Sequence, residues 1–176
     1  MVAAGHRHNA LWWAGDPVRH AMEEQPMMVH VVAPTEGEVI QVGPITLRII
    51  EDGSHTDHRV ALVEGTLPPG TVGPPQHVHH QHDETFHVVS GVVRFTCGAE
   101  TVDAGPGTTV TAPIGVPHTF ANPGDVPAVF VGTLTPDLYV EYFRELKGLA
   151  WGPGGPDPVA VAAVMARYAT EVVRPG

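Results

Sequence analysis

Two histidines and a glutamate lie close together in the middle of the chain. His77 and His79 are two residues apart, and Glu84 follows after a short turn. Residues i and i+2 of a β-strand point to the same side, so the two imidazoles can converge on one point. Imidazole and carboxylate groups together bind divalent transition metals. The spacing therefore predicts a metal site, with Glu84 at the start of the strand after the turn.

A second stretch supplies one more candidate ligand. Gly107, Pro113 and Gly115 are turn-forming residues that lead into a strand beginning at His118. On the period-two pattern of a strand, His118 and Phe120 share a face. The two stretches together supply three histidines and one carboxylate. We call this set the His/Glu cluster: His77, His79, Glu84 and His118.

The histidine content of the chain allows another interpretation of the first stretch. The sequence contains 12 histidines, and the run between residues 77 and 82 could be a solvated, histidine-rich loop. The positions of Glu84 and His118 on predicted strands favour the metal site instead. The neighbouring His80, His82 and His87 are interpreted as surface or loop histidines.

The two stretches resemble the two sequence motifs of the cupin superfamily. The first motif, H-x-H-x4-E-x6-G, is completed by Gly91, and the second, G-x5-P-x-G-x2-H-x3-N, is matched at every position through Asn122. One position departs, since Thr71 stands where the first motif usually has a glycine that shapes a turn and is not a ligand. The resemblance spans residues 40–135. It implies a cupin double-stranded β-helix, which is a jelly-roll barrel.

The rest of the chain fits an all-β barrel followed by helices. Short apolar and β-branched runs bounded by Gly or Pro recur from residue 38 to 135, at the spacing typical of a sandwich or barrel. Apolar residues then change to helical spacing, which predicts two helices, the second from about Val159 to Val173. We expect three regions: an N-terminal extension over 1–37, the barrel over 38–136, and, over 137–176, C-terminal helices that pack on the barrel or on a partner subunit.

Composition limits the partners and the location. The formal net charge of −10 argues against nucleic acid and anionic membranes as partners, because both require a basic face. Cys97 is the only cysteine, so no internal disulfide can form, and a reducing compartment fits. No apolar run approaches the length of a membrane span. We expect a cytoplasmic protein.

Apolar helices outside a small barrel with an exposed sheet edge predict a homodimer.

The ligand types fit several divalent ions. Two histidines and a carboxylate with open positions are the pattern of non-haem Fe(II) oxygenases, and a third histidine still leaves an octahedral ion two sites for O2 and substrate. Fe(II) is therefore the first expectation, followed by Mn, Ni and Zn. Serine and lysine chemistry fit poorly, because Ser54 and Ser90 lie in predicted turns and Lys147 lies on a helix outside the barrel.

The resemblance extends to small single-domain cupins of the quercetinase-like, or flavonol dioxygenase, group. There it implies that the ligand glutamate, here Glu84, also takes a proton from the substrate hydroxyl. The first hypothesis is a metal-dependent dioxygenase that uses O2 and acts on a phenolic, flavonol or polyketide-like molecule. The alternatives are a non-redox isomerase, cyclase or lyase, and a binding protein without turnover. Four aromatic residues are expected to line the substrate pocket or to belong to the core: Phe86, Phe95, Phe120 and Phe130.

Overall fold

The computed structural model describes residues 29–137, 140–149 and 155–173. Residues 32–176 fall in one compact unit, which contains every described strand and helix, and residues 1–31 fall in a separate unit. Most of the N-terminal extension predicted over 1–37 therefore lies outside the described residues. No helix among the described residues is long and apolar enough to cross a membrane.

Short strands separated by turns build the barrel, as the Gly and Pro spacing predicts. In β2, β3 and β10, buried residues alternate with half-buried ones, because successive side chains of a strand point to opposite faces. The architecture is the all-β jelly roll that the sequence predicts. Its strands are β1 Glu38–Val42, β2 Ile45–Glu51, β3 Ala61–Leu67, β4 His77–His79, β5 Asp83–Ser90, β6 Val93–Cys97, β7 Glu100–Ala104, β8 Thr109–Ala112, β9 Thr119–Ala121 and β10 Ala128–Thr135.

The largest sheet has six strands in the order β1-β2-β3-β10-β5-β8, and a second sheet has the order β7-β6-β9. All pairings in these sheets are antiparallel. Strand β10 lies between β3 and β5, with Ala128 opposite Leu67 and Leu134 opposite Glu84. The centre of the large sheet is thus formed by segments far apart in sequence, and Glu84 lies on one of them.

Two helices and a short strand follow the barrel: α1 Val140–Lys147, α2 Pro158–Arg167 and β11 Thr170–Val172. Asp157 caps α2, because its Oδ1 accepts a hydrogen bond of 2.9 Å from the backbone N–H of Val159. Apolar side chains of both helices, among them Leu146 and Met165, join the hydrophobic core of the barrel.

The second helix is shorter than the sequence predicts. It ends at Arg167 rather than near Val173, and Ala169 adopts a positive φ of 48°. The chain then runs as β11 alongside β4, with Thr170 opposite His79. A β-branched run at the end of the predicted helix favours extended backbone, and pairing with β4 stabilises it there. The C-terminal segment therefore reaches the strand that carries two of the predicted ligands.

Candidate metal centre

The structure brings the His/Glu cluster together inside the barrel. One ligand atom from each of its residues lies within 4.8 Å of the others, and all of these side chains are buried. The Nε2 atoms of His118 and His79 lie 3.0 and 3.3 Å from Oε2 of Glu84. Three buried imidazoles around one carboxylate form a donor set suited to a divalent transition metal. The residues therefore fit the ion that the sequence predicts.

Backbone pairing holds the ligands at fixed positions. His77 and His118 exchange two backbone hydrogen bonds, each of 2.9 Å, so the histidines of the two motifs are directly paired. The carbonyl of His79 accepts a hydrogen bond of 2.8 Å from the N–H of Gly115, in the turn before His118. Glu84 lies opposite Ala112 on the neighbouring strand β8. The cluster is thus assembled from segments that meet only in the folded barrel.

Backbone carbonyls orient two of the imidazole rings. Nδ1 of His77 lies 2.9 Å from the carbonyl oxygen of Pro75, and Nδ1 of His118 lies 3.0 Å from that of Val116. A carbonyl oxygen only accepts hydrogen bonds, so both rings carry a proton on Nδ1. Their Nε2 atoms face the cluster, as metal coordination requires.

Burial and hydrogen bonding set the protonation of the cluster. Burial lowers the pKa of His77 to about 4 and also lowers the pKa of His79. Burial alone would raise the pKa of Glu84, but the neighbouring imidazoles of His118, His79 and His82 outweigh it and hold that pKa well below its ordinary value. The contact with Glu84 likewise outweighs burial at His118 and raises its pKa. Glu84 is thus an ionised carboxylate at neutral pH, the form that binds a cation.

His82 lies in the loop between β4 and β5, but it is buried beside the cluster and is therefore not a surface histidine. Its ring packs on that of His79 with centroids 4.0 Å apart, and its Nε2 lies 3.9 Å from Oε1 of Glu84. The sequence contained a signal for this position, because residues 82 and 84 share a face on the period-two pattern. His80 and His87 are exposed, as predicted.

A cavity of about 780 Å³ reaches the cluster. His77 and Glu84 form part of its wall, and most other lining residues are apolar. The barrel forms one part of the wall, and the C-terminal segment forms another. The sequence predicted that this segment packs on the barrel or on a partner, but not that it borders the site. Its contributions include Tyr142, Phe143, Leu146, Val161, Ala162 and Val172.

Three of the four predicted pocket aromatics line this cavity. The rings of Phe86, Phe120 and Phe130 contact one another, with centroids between 5.3 and 5.8 Å apart. Phe95 does not line the cavity. Its ring packs against Phe86 at 5.2 Å and is fully buried, so this residue belongs to the core, which was the alternative interpretation of these aromatics.

The last residue of the second motif holds a turn. Asn122 is buried, and its Oδ1 accepts a hydrogen bond of 2.9 Å from the N–H of Gly124. Its Nδ2 donates to three backbone carbonyls, those of Leu67, Pro68 and Val126, over 2.8 to 3.0 Å. Asn122 therefore ties two loops together, at the far end of the strand that follows His118.

The barrel also matches a family of known proteins. Residues 63–134 match the family described as Cupin domain. Residues 63–134 are therefore a cupin domain. The matched region includes both sequence motifs and the whole His/Glu cluster, whereas α1, α2 and β11 lie beyond it.

Solved cupin structures share the fold at low sequence identity. KdgF from Halomonas sp. has a TM-score of 0.55 and 22% identity, covering 62% of this chain and 94% of its own. A predicted oxalate decarboxylase from Thermotoga maritima has a TM-score of 0.56 and 19% identity, with coverages of 61% and 99%. The polyketide cyclase RemF from Streptomyces resistomycificus has a TM-score of 0.55 and 23% identity, with coverages of 61% and 80%. Among curated proteins, none matches the sequence significantly.

Proposed function

We propose that this cupin is a metal-dependent enzyme that acts on a largely apolar small molecule bearing an ionisable hydroxyl group. Dioxygenation of a phenolic, flavonol or polyketide-like compound is the reaction we favour. The observation that supports the proposal is the junction between the buried His/Glu cluster and an apolar cavity of about 780 Å³. A substrate in this cavity would have its polar group beside His77 and Glu84 and its apolar body against the rest of the wall.

The size and lining of the cavity favour an aromatic substrate. Its volume of about 780 Å³ lies within the range of roughly 300–1,000 Å³ that is usual for small-molecule sites. The rings of Phe86, Phe120 and Phe130 present aromatic faces and edges to a bound molecule. Aromatic pairs gain about 0.5–1.5 kcal/mol beyond the burial of area, so a planar substrate ring is favoured over an aliphatic chain of similar size.

Glu84 is the residue to which we assign the role of base. It is ionised, it lies in the cavity wall, and its Oε2 lies 3.0 and 3.3 Å from Nε2 of His118 and His79. A carboxylate in this position can take the proton of a substrate hydroxyl that enters from the cavity. The histidines of the cluster and Glu84 would hold the metal, which supplies Lewis acidity and, as Fe(II), a binding site for O2. The apolar wall excludes water from the deprotonated substrate.

A second candidate is non-redox chemistry at the same site, such as cyclisation, isomerisation or elimination. Among the described residues, Glu84 is the only carboxylate in the cavity wall. A carboxylate base beside a Lewis acid is sufficient for enolisation and for the ring closure or elimination that follows, without O2. The polyketide cyclase RemF has this fold at 23% identity. Oxygen dependence separates this candidate from the dioxygenase.

Metal content and oxygen uptake test the proposal. The purified protein is loaded in turn with Fe(II), Mn, Ni and Zn, beside His118→Ala and the control His87→Ala, which removes an exposed histidine from β5. We expect near-stoichiometric metal in the wild type and in His87→Ala, and much less in His118→Ala, because three ligands hold an ion more weakly than four. A wild type that stays metal-free contradicts the proposal.

Turnover then separates the candidate reactions. Iron-dependent oxygen uptake with flavonols or other phenols supports dioxygenation. Conversion of the same compounds without oxygen, including by the zinc form, supports the non-redox reaction. A loaded protein that binds such compounds and releases them unchanged contradicts both reactions and leaves a binding protein.

A further inference from the structure

Thr170 contacts the His/Glu cluster from outside the region that matches the cupin family. The family match ends at residue 134, whereas Thr170 lies on β11, after both C-terminal helices. Its side chain is buried, and its Oγ1 lies 2.7 Å from Nδ1 of His79. His79 is one of the predicted ligands, so this contact links the C-terminal strand to the metal site.

The direction of this hydrogen bond follows from a second contact. Oγ1 of Thr170 also lies 3.0 Å from the carbonyl oxygen of Tyr168. A hydroxyl has one proton and a carbonyl only accepts, so that proton is donated to Tyr168. Oγ1 must then accept from Nδ1–H of His79. The proton of the His79 ring is therefore held on Nδ1, and the lone pair of Nε2 is directed into the cluster.

Backbone pairing fixes the hydroxyl at this position. Thr170 lies directly opposite His79 in the antiparallel pair of β11 and β4. The N–H of His80 donates to the carbonyl of Ala169 at 2.9 Å, and the N–H of Val173 donates to that of Gln76 at 2.8 Å. These bonds flank Thr170 on both sides. They hold its backbone in register with His79, which keeps the Thr170 side chain next to the His79 ring.

Loss of the hydroxyl would change which ring nitrogen of His79 carries the proton. Nε2 of His79 lies 3.3 Å from the ionised Glu84. When the Thr170 hydroxyl is removed, a proton on Nδ1 loses this hydrogen bond, whereas a proton on Nε2 gains one to the Glu84 carboxylate. That tautomer has no lone pair on Nε2 and does not bind a metal through it.

We propose that Thr170 is a positioning residue of the metal centre, which sets the tautomer and the orientation of His79. The C-terminal strand β11 then contributes a residue to the metal centre, in addition to packing on the barrel. This inference rests on the metal site of the proposed function, but its first test needs no metal.

The first experiment measures the tautomer of His79 in the metal-free protein, from imidazole ¹⁵N shifts assigned with a His79→Gln variant. Thr170→Val removes the hydroxyl with little change of shape, and Thr170→Ser retains it. Thr71→Val is the matched control, because Thr71 is also buried and donates to a carbonyl, that of Pro68, at 2.7 Å. We expect the Nδ1–H form in the wild type, Thr170→Ser and Thr71→Val, and a shift towards Nε2–H in Thr170→Val alone.

The second experiment measures metal affinity by competition with a chelator, for Fe(II) and Zn. Loss of an outer hydrogen-bond partner of a ligand typically weakens binding by about 10–100-fold, which is the change expected for Thr170→Val. Thr170→Ser should bind nearly as the wild type does. Thermal unfolding of the metal-free variants shows whether lost stability explains any change, and Thr71→Val should lose stability without losing affinity.

The outcomes distinguish this inference from the proposed function. Thr170→Val with an unchanged tautomer, or with wild-type affinity, overturns the role of Thr170. If even the wild type takes up no metal, the proposed function fails, and the ¹⁵N shifts still decide whether Thr170 sets the His79 ring.

Discussion

His82 lies where a histidine side chain can influence the cluster without belonging to it. It is completely buried, packs on the ring of His79 and approaches the carboxylate of Glu84 on the side away from His118. Glu84 is therefore contacted by imidazoles at both of its oxygens. An outer group of this kind restricts how the carboxylate turns towards an ion.

Replacing His82 by alanine tests this role. We expect His82→Ala to weaken metal binding by about 10–100-fold, because Oε1 of Glu84 loses its neighbour and the ring of His79 loses its packing surface. His80→Ala is the control, since His80 is exposed and two residues away. Equal affinities of the two variants in a chelator competition would show that His82 only fills space.

The four residues of the cluster were predictable because each signal is local. A strand places i and i+2 on one side, and turn-forming residues mark where the strand of His118 starts. Thr170 was not predictable in this way. Its contact with His79 depends on the pairing of β11 with β4, and no local pattern encodes which distant strands will pair.

One glycine at the centre of the large sheet makes room for a cavity aromatic. Gly65 on β3 lies opposite Phe130 on β10, and a Cβ atom at Gly65 would lie 2.3 Å from Cζ of the Phe130 ring. Phe130 packs over the bare backbone of β3 and borders the cavity. The absence of a side chain at Gly65 therefore determines how closely the Phe130 ring approaches β3, and with it the position of this ring in the cavity wall.

Gly65→Ala should destabilise the protein by about 1–3 kcal/mol, because the Phe130 ring must move in a packed core. Gly105→Ala is the matched control, since a Cβ there has no neighbour within 4 Å. The free energy of unfolding in urea measures both. A Gly65→Ala variant as stable as Gly105→Ala would mean that the ring moves into the cavity without cost.

The barrel strands follow from local patterns, which explains why their positions were predictable from apolar and β-branched runs bounded by Gly or Pro. The position at which α2 ends was not predictable in this way. The apolar spacing continues in helical phase beyond Arg167, yet the chain leaves the helix there and forms β11. Strand pairing and burial of Thr170 outweigh the weak helical preference of this short segment.

At the scale of the whole molecule, ion pairs connect helix α1 to the barrel. Arg144 on α1 contacts Glu38 of β1 at 2.8 Å, Asp52 after β2 at 3.0 Å, and Glu141 in its own helix. Hydrogen bonds from Ser54 and Arg144 lower the pKa of Asp52 to about 2. Since α1 also borders the cavity, these contacts hold part of the substrate wall in place.

The stability of the protein should depend on Asp52 in a pH-dependent way. Its pKa in the folded protein is about 2, below the ordinary 3.8, so Asp52 stabilises the fold above about pH 4. This contribution is lost as the pH falls towards 2. Asp52→Asn should therefore lower the free energy of unfolding at pH 7, and its difference from the wild type should shrink on acidification.

Urea denaturation of both proteins between neutral pH and about pH 3 measures this difference. Asp57→Asn provides the control, because the side chain of Asp57 is 91% exposed. A constant difference between Asp52→Asn and the wild type at every pH would contradict the assignment to the Asp52 charge.

The central place of β10 in the large sheet has a consequence for how the protein folds. Its neighbours β3 and β5 come much earlier in the chain, so the sheet closes through pairings between distant residues. Such pairings give slow folding, because loop entropy is lost before contacts form. The ligands of the two motifs come together only in the closed barrel, where His77 pairs with His118 and Glu84 contacts His118. The complete metal site therefore forms only when the barrel closes. A bound ion should slow unfolding without speeding up folding.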